Sequence, residues 1–264
     1  MGYGNPVVEW IICIFMFLAG ANFVLQYRAI FGGALGRVRL RYDDEFRMYV
    51  GIAMIATTLL ALLLLTVEGN TRPLRQAVFQ TLSILTTTGY ASTDFGLWSD
   101  QLQVVLLALM FVGGCAGSAA GGPKVLRRLL IARFTLSELR RTLHPRAVLP
   151  VRISGKVVPE HIIRGVMVFF LFYILTFSVC AAVVIGFGAD IVTGVTATVA
   201  AIGNIGPGLS GVGPMSSYGN LHPISKLVLT AAMWIGRLEV VTVLALFRME
   251  VWRDAHWVGS PVQR

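Results

Sequence analysis

Apolar segments of two lengths alternate along the chain. Five are long enough to cross a lipid bilayer as helices of about 20 residues, and we predict a transmembrane helix for each. The predicted spans are residues 7–27, 48–67, 101–120, 163–187 and 224–247. Two further apolar segments, residues 73–85 and 190–201, are too short, because a helix of about 12 residues covers roughly 18 Å of a hydrocarbon core of about 30 Å. We predict that both enter the membrane as re-entrant pore helices and turn back.

A short polar loop follows each re-entrant segment. The first loop consists of Thr86, Thr87, Thr88, Gly89 and Tyr90, and the second loop of Gly203, Asn204, Ile205, Gly206 and Pro207. Backbone carbonyl groups at membrane depth are tolerated inside protein or beside water, where they can replace the hydration shell of a cation. The partly negative C-terminal end of each short helix also favours a cation. Since neither loop contains a carboxylate, a monovalent cation is favoured over calcium or magnesium.

Ordinary turns between helices are the alternative for these loops, because Gly and Pro are common in turns. Two loops in matching positions, each after a segment too short to span, favour a paired-loop ion pathway instead.

Composition and charge agree with a membrane protein. The chain has 264 residues, of which 56% are hydrophobic and 13% charged, with a mean hydropathy of +0.74. The net charge of +9 does not indicate nucleic-acid binding, because the basic residues lie between the apolar segments. They concentrate in residues 28–47, 124–164 and the C-terminal tail, whereas residues 188–222 contain none. Since cytoplasmic loops carry the excess of Lys and Arg, we predict an N-terminus outside and a C-terminus in the cytoplasm.

No constellation of residues indicates catalysis or a bound cofactor. Cys13, Cys115 and Cys180 are odd in number and lie in apolar stretches, so they are predicted to be buried thiols rather than a disulfide or metal site. The four histidines are scattered, without a nearby nucleophile or the spacing of metal ligands. We therefore predict that the protein is not an enzyme.

One helix pattern occurs three times. Residues 110–114, Met-Phe-Val-Gly-Gly, align with residues 233–237, Met-Trp-Ile-Gly-Arg, and with residues 16–20, Met-Phe-Leu-Ala-Gly. Only the last two copies follow a span and a re-entrant segment, so the first is an orphan helix. We therefore expect the sequence to begin partway through a larger repeat protein.

This organisation predicts four parts. Residues 1–47 hold the orphan helix and a cytoplasmic loop, and residues 48–130 form a repeat of helix, pore loop and helix. Residues 131–160 form a basic cytoplasmic connector that is compatible with a short hairpin. Residues 161–264 form a second repeat with a short cytoplasmic tail.

Glycines interrupt the third span where a simple helix would continue. Pro123 follows them directly. The candidates for a gate in this stretch are Gly113, Gly114, Gly117, Gly121 and Gly122. The alternative is close helix packing, because Gly113 with Gly117 and Gly117 with Gly121 have the spacing of a small-residue contact.

Arg237 is a further candidate, since it stands at the repeat position held by Gly20 and Gly114, within an apolar helix. A charge at membrane depth costs about 3 kcal/mol on insertion scales, so Arg237 is expected to face the bundle interior or water. The alternative is a structural ion pair with Glu239 or another carboxylate.

Four motifs give the chain a resemblance to the Trk/Ktr/HKT superfamily of potassium transporters, most closely to its bacterial TrkH-like membrane subunits. The motifs are Thr-Thr-Thr-Gly-Tyr-Ala-Ser-Thr-Asp-Phe at residues 86–95, Gly-Gly-Cys-Ala-Gly-Ser at 113–118, Asn-Ile-Gly-Pro-Gly at 204–208 and Gly-Arg-Leu-Glu at 236–239. The resemblance implies an all-α membrane protein with four repeats of helix, pore loop and helix around one pore. This chain would supply the last helix of repeat two followed by repeats three and four.

The resemblance also implies roles for residues and partners. The transported ion would be K⁺, the glycine-rich stretch an intramembrane gate and Arg237 a pore-facing charge below the filter. The upstream half of the transporter, a second copy in a homodimer and a cytoplasmic nucleotide-binding regulatory subunit would be partners, with the basic connector as a docking surface. The implied membrane is the bacterial inner membrane. The implied K⁺ ligands are Thr87, Thr88, Gly89, Asn204, Ile205 and Gly206.

These inferences predict a pore-forming, partial membrane subunit of a potassium-uptake system. Three alternatives remain open from the sequence. They are a non-conducting structural fragment of a split or truncated transporter, a sodium-permeable relative, and an alternating-access cation transporter.

Overall fold

The computed structural model of the protein describes residues 5–70, 72–144 and 149–238. Helices dominate these ranges, with one two-stranded hairpin and three short 3₁₀ turns at Phe95–Leu97, Ser210–Val212 and Tyr218–Asn220. The helices and strands are α1 Pro6–Gly20, α2 Phe23–Phe31, α3 Gly33–Tyr42, α4 Asp44–Thr66, α5 Pro73–Leu85, α6 Asp100–Met110, α7 Val125–Leu143, β1 Arg152–Ile153, β2 Lys156–Val157, α8 Glu160–Gly186, α9 Ile191–Gly203 and α10 Pro223–Leu238.

The first repeat unit consists of α4, α5 and α6. Asp43 caps α4 by accepting a hydrogen bond from the Phe46 N–H, and Pro73 opens α5, where its missing N–H costs nothing. The re-entrant helix α5 packs against α1, α4 and α6. Every residue from Phe79 to Leu85 is buried, so α5 is enclosed by protein rather than lipid.

The second repeat unit consists of α8, α9 and α10, arranged in the same way. Asp190 caps α9 through a hydrogen bond from the Thr193 N–H, and α9 packs against α8 and α10. The observed bounds of α5 are those predicted from the sequence, and α9 extends two residues beyond its prediction. A short helix packed between two other helices is thus a property of both units.

Among the residues that the structure describes, two helices, α4 and α8, are long and apolar enough to cross a membrane, and α1 with α2 would be a third if that bent pair counts as one span. The outward faces of α4 and α8 are apolar, with Ile55 71% and Leu171 66% exposed. Large exposed apolar faces of this kind indicate contact with lipid. The prediction of a helical membrane protein is therefore confirmed in its coarse form.

The structure differs from two of the predicted spans and describes only part of a third. The span at 7–27 bends by 104° between α1 and α2, because Asn22 caps a new helix at Phe23. The span at 101–120 is wrong as a continuous helix, since α6 ends at Met110 and residues 111–124 are irregular. The span at 224–247 is described only to Leu238, so its last part lies outside the described residues.

The connector contains more structure than the sequence predicted. Residues 131–143 of the expected loop belong to the helix α7, which packs against α4 and α8. Arg127 lies over the ring of Phe169 on α8, with its guanidinium carbon 4.0 Å from the ring centre. The predicted hairpin is present as β1 and β2, and Arg152 pairs with Val157.

Candidate functional site

The two loops have the same backbone conformation. In each, the N–H of the second residue donates to the carbonyl three residues earlier, and the N–H of the third residue donates to the carbonyl five residues earlier. The second and fourth residues of each loop have positive φ angles, +55° and +75° in the first loop and +53° and +112° in the second. The bonds are Thr87 to Ile84 at 3.1 Å, Thr88 to Ser83 at 2.9 Å, Asn204 to Ala201 at 3.1 Å and Ile205 to Ala200 at 2.9 Å. These two bonds are those of a Schellman cap, which ends many helices. The feature that both loops add to it is a second positive φ angle, at Gly89 and Gly206.

The loops also touch each other. A side chain at Gly89 would collide with the carbonyl of Ile205, so the two backbones meet there. The equivalent glycine of the second loop, Gly206, has nothing within 4 Å of a built Cβ position. One glycine therefore abuts the other loop, and its counterpart faces open space.

The threonine hydroxyls of the first loop already have partners within the protein. Thr86 donates to the Leu82 carbonyl at 2.7 Å and shares a hydrogen bond with Thr88 at 2.8 Å. Thr87 accepts from the Gly121 N–H at 2.6 Å. Because these bonds occupy the threonine hydroxyls, the backbone carbonyls are the more available oxygens of this loop.

The loop carbonyls are mostly without hydrogen-bond donors. Among the described residues, no donor reaches the carbonyl oxygens of Thr87, Thr88, Asn204 or Ile205. The Gly206 carbonyl differs, because it accepts from the Tyr218 hydroxyl at 2.7 Å. Burial raises the pKa of Tyr218 to about 12, so this hydroxyl remains a donor at physiological pH.

A cavity of about 550 Å³ lies beside both loops. Gly89 and Gly206 line it, together with Glu9 of α1 and Tyr218. The Glu9 carboxylate is paired with Arg75 at 3.0 Å, which offsets its charge. The cavity therefore brings loop backbone from both repeat units to one water-accessible space.

The glycine-rich segment, defined as residues 111–124, joins α6 to α7. Three of its glycines, Gly113, Gly117 and Gly122, have φ between +65° and +77°, a conformation that other residues resist. Gly114 and Gly121 lack positive φ but approach other backbone closely. All five candidate glycines thus lie in one irregular segment, as the sequence predicted.

Backbone hydrogen bonds join this segment to the break between α1 and α2. The Cys115 N–H donates to Gly20 at 2.9 Å, and the Ala119 N–H donates to Ala19 at 3.0 Å. In return, the Gly117 carbonyl accepts from the Phe23 N–H at 3.1 Å. Two interrupted helices therefore satisfy each other's unpaired backbone groups.

Gly121 lies where the glycine-rich segment meets both loops. Its N–H donates to Thr87 of the first loop, and a side chain there would collide with the Gly203 carbonyl of the second. Any displacement of this part of the segment must therefore change contacts with both loops.

Arg237 lies in the last turn of α10, beside the glycine-rich segment. Its Nη1 donates to the Ala119 carbonyl at 3.4 Å, and its side chain lines a cavity of about 150 Å³ with Lys124. Arg237 is exposed to this space rather than enclosed by apolar residues. Its alternative partner Glu239 lies outside the described residues.

A protein of known structure has the same architecture as this chain. The structure of the chain superposes on the crystal structure of the potassium transporter TrkH from Vibrio parahaemolyticus with a TM-score of 0.87 and 37% sequence identity, covering 96% of this chain and 54% of that one. The family model described as TrkH, cation transport protein, matches residues 1–258. The chain belongs to the TrkH family.

Relatives within the TrkH family cover the chain almost completely. The Trk system potassium uptake protein TrkH of Salmonella typhimurium is 36% identical over 255 residues, and that of Vibrio parahaemolyticus is 37% identical over 258 residues. Each match covers 96% of this chain and 52% or 53% of the relative. The chain thus spans about half the length of these relatives, and its family is one of cation transport proteins, not enzymes.

Two contributors to this site escaped the sequence analysis. Asn22 sits inside an apolar run, and its side chain caps α2 where the predicted span would have continued; a lone Asn there was the available signal. Glu45 is buried and binds the glycine-rich segment, but beside Asp43 and Asp44 it looks like an ordinary acidic first turn.

Proposed function

We propose that the chain supplies half of the pore of a potassium-uptake system and passes K⁺ by diffusion past backbone carbonyls. The observation that carries this proposal is the contact between two loops of identical backbone pattern, at which Gly89 meets Ile205. Unpaired carbonyls beside a water-accessible cavity are suitable ligands for a cation that has lost its hydration shell. Family membership supports K⁺ as the ion, since the named relatives are potassium uptake proteins.

The proposed K⁺ ligands are carbonyl oxygens from both loops. Gly206 contributes while it also accepts from Tyr218, because a carbonyl has two lone pairs. The remaining residues of the filter, Thr86, Tyr90, Gly203 and Pro207, shape the backbone around these oxygens. The ligands are Thr87, Thr88, Gly89, Asn204, Ile205 and Gly206.

In this proposal the glycine-rich segment is the gate, and Arg237 regulates passage beneath the loops. The contacts of Gly121 with both loops and of Arg237 with Ala119 support these roles. A guanidinium in this position repels cations. It remains hydrated, because water can reach it. Movement of the segment away from the loops would open the path.

The proposed setting is the bacterial inner membrane, with the N-terminus outside and the C-terminus in the cytoplasm. Five crossings fit the sequence if α1 with α2 and α6 with the glycine-rich segment are counted as broken crossings. The four sequence-defined parts, residues 1–47, 48–130, 131–160 and 161–264, are retained as the proposed organisation. The polypeptide that supplies the first two loops, a second copy and a cytoplasmic regulatory subunit are the proposed partners.

Rubidium uptake in a potassium-uptake-deficient strain tests this function. We expect growth on low potassium and Rb⁺ uptake when the chain is expressed with the upstream half of a TrkH-family relative. Vector and upstream half alone are the controls. Absence of uptake from the pair, with both polypeptides present in the membrane, would favour the non-conducting structural fragment. Uptake by this chain alone would require copies of it to complete the ring of loops.

The hairpin is the proposed docking surface for the regulatory subunit, because its tip is basic and exposed at Lys156. We expect Lys156→Glu to reduce co-purification of that subunit. Lys226→Glu on α10, which lies on the opposite side of the membrane in this proposal, is the matched control. Equal recovery of the subunit with both variants would count against docking at the hairpin.

A further inference from the structure

Glu45 is the one charged residue that is buried among the residues the structure describes, with 6% of its surface exposed. It lies in the first turn of α4, where an acidic residue normally faces water near the helix end. Burying a carboxylate is costly unless hydrogen bonds compensate for the lost hydration. The position therefore requires a partner.

The partners of Glu45 are the glycine-rich segment and the helix that follows it. Its Oε1 accepts from the Ala116 N–H at 2.5 Å, between Gly114 and Gly117 in the sequence. The backbone N–H of Leu126, in the first turn of α7, is a second donor to the carboxylate. Hydrogen bonds to an ionised acceptor are about twice as strong as those between neutral groups.

The contact with α7 compensates for the missing side-chain cap at the start of that helix. Its N-cap residue, Lys124, provides no side-chain hydrogen bond to the first turn. The carboxylate of Glu45 takes that place from another helix, next to the partly positive end of α7. One side chain thus fixes the middle of the glycine-rich segment and the start of the helix after it.

The first turn of α4 is itself fixed. The Asp44 carboxylate is paired with Arg133 of α7 at 2.9 Å and accepts from the Ser154 N–H of the hairpin at 2.6 Å. Asp43 caps the same turn. Glu45 is therefore held in place by its neighbours rather than free to follow the segment.

Within the described part of the second repeat unit, the corresponding acid is exposed. Glu160, in the first turn of α8, is exposed and pairs with Arg164 of its own helix at 2.8 Å. The buried acid occurs in the unit that contains the glycine-rich segment, and the exposed acid in the unit whose last helix continues through the equivalent position.

We propose that Glu45 is a positioning residue that holds the glycine-rich segment beneath the two loops, and that conduction requires the Ala116 N–H to leave this carboxylate. The inference rests on the proposed function, in which the segment controls passage. Its structural part is the hydrogen bond from the Ala116 N–H to the Glu45 carboxylate, called the tie below. The tie can be tested without measuring ion flux.

Cys115, adjacent to Ala116, is a native reporter of the tie. It is 1% exposed and free, and the buried thiols of Cys13 on α1 and Cys180 on α8 are also free. The full chain in nanodiscs is treated with N-ethylmaleimide, and modification of each cysteine is followed by peptide mass spectrometry. Release of the segment exposes Cys115 alone, whereas unfolding exposes all three.

Two substitutions of Glu45 should increase the rate of Cys115 modification to different extents. Glu45→Met keeps the length of the side chain but has no acceptor oxygen, and we expect modification of Cys115 to accelerate about tenfold, as for the loss of one charge-assisted hydrogen bond. Glu45→Gln retains one acceptor and should give a smaller acceleration. Glu160→Gln is the matched control and should leave Cys115 as protected as in the parent chain.

The outcomes separate this inference from the proposed function. Unchanged protection of Cys115 in Glu45→Met would overturn the tie, and simultaneous exposure of all three cysteines would make Glu45 a folding residue only. In the assembled transporter, Glu45→Met should raise basal Rb⁺ uptake several-fold. Unchanged uptake, with parent uptake intact, would overturn the gating role. Absence of uptake from every variant and the parent would instead refute the pore and leave the tie in place.

Discussion

The two repeat units have matching loops but different supports. In the first unit, α6 ends at Met110 and the glycine-rich segment reaches the loop, where the Gly121 N–H binds Thr87. In the second, α10 continues through the aligned position, and the Asn204 side chain donates to the Met233 carbonyl of that helix at 3.3 Å. The same loop backbone is therefore held by an irregular segment on one side and by a regular helix on the other.

This difference assigns distinct tasks to related sequences. A regular helix has its backbone hydrogen bonds satisfied internally, so it gives the second loop a stable support. The glycine-rich segment depends on hydrogen bonds to other elements, which can be exchanged more readily. Of the three aligned positions, Gly20 and Gly114 lie where helices are interrupted, whereas Arg237 brings a charge next to the glycine-rich segment.

The largest expected contrast is between the two filter glycines. Gly89→Ala combines positive φ with a collision at the Ile205 carbonyl, and should cost about 2 to 5 kcal/mol in loop stability. Gly206→Ala brings only the backbone cost of about 1 to 2 kcal/mol. We expect Rb⁺ uptake by the assembled transporter to be lost in the first variant and reduced in the second. Equal uptake by both variants would show that the loop contact is unimportant.

The next contrast concerns the loop supports. Thr87→Val keeps the shape of the side chain but leaves the Gly121 N–H without its acceptor, at a cost of about 1 to 3 kcal/mol. Asn204→Gly suits the positive φ and removes only two long hydrogen bonds, so its effect should be smaller. Thermal unfolding in detergent measures both, and Thr87→Ser is the control that retains the hydroxyl. A larger loss for Asn204→Gly would reverse the assignment of supports.

A moderate effect is expected at Arg237. Arg237→Gln removes the charge beside the glycine-rich segment, and should raise Rb⁺ uptake a few-fold by lowering the electrostatic barrier to cations. Arg164→Gln, at an exposed arginine of α8, is the control and should leave uptake unchanged. If Arg237→Gln alters neither uptake nor its regulation, the barrier role is wrong.

The smallest effect is expected from the difference between the helix starts, since α9 has a side-chain cap and α5 has none. Asp190 caps α9, and its hydrogen bonds with Thr193 hold the pKa of its carboxyl below the usual 3.8. The stabilisation is therefore present at neutral pH and is lost as the pH falls through this lowered pKa. Asp190→Ala should destabilise the protein by about 1 kcal/mol at pH 7, and the difference from the parent should shrink below about pH 4.

Arg72→Ala is the control for that measurement, because Arg72 precedes α5 without forming a side-chain cap. Unfolding curves at several pH values should show no pH-dependent difference between Arg72→Ala and the parent. A difference between Asp190→Ala and the parent that stays constant at acidic pH would exclude the charge as its cause.

Local signals in the sequence predicted much of this fold. The long apolar runs gave α4 and α8, and the length of the short run opened by Pro73 gave α5 with its observed bounds. The glycines of residues 113–122 marked where a helix would fail. These features depend on contacts close in sequence, which a pattern can report.

Features that depend on distant contacts were not predictable in the same way. The bend after α1 is fixed by Asn22 and by the bond from Phe23 to Gly117, and apolar periodicity contains no sign of that partner. The burial of Glu45 depends on Ala116, 71 positions away in the sequence. The helix α7 was missed because its many charges resemble those of a basic loop.

The hydrogen bonds between the α1 to α2 break and the glycine-rich segment have a consequence for truncation. A chain shortened to begin at residue 48 would retain both loops, yet the N–H groups of Cys115 and Ala119 would lose their acceptors at Gly20 and Ala19. A shortened chain that preserves the backbone hydrogen bonds of the glycine-rich segment must therefore include α1. The junction of a divided or grafted chain belongs before α1 rather than between α3 and α4.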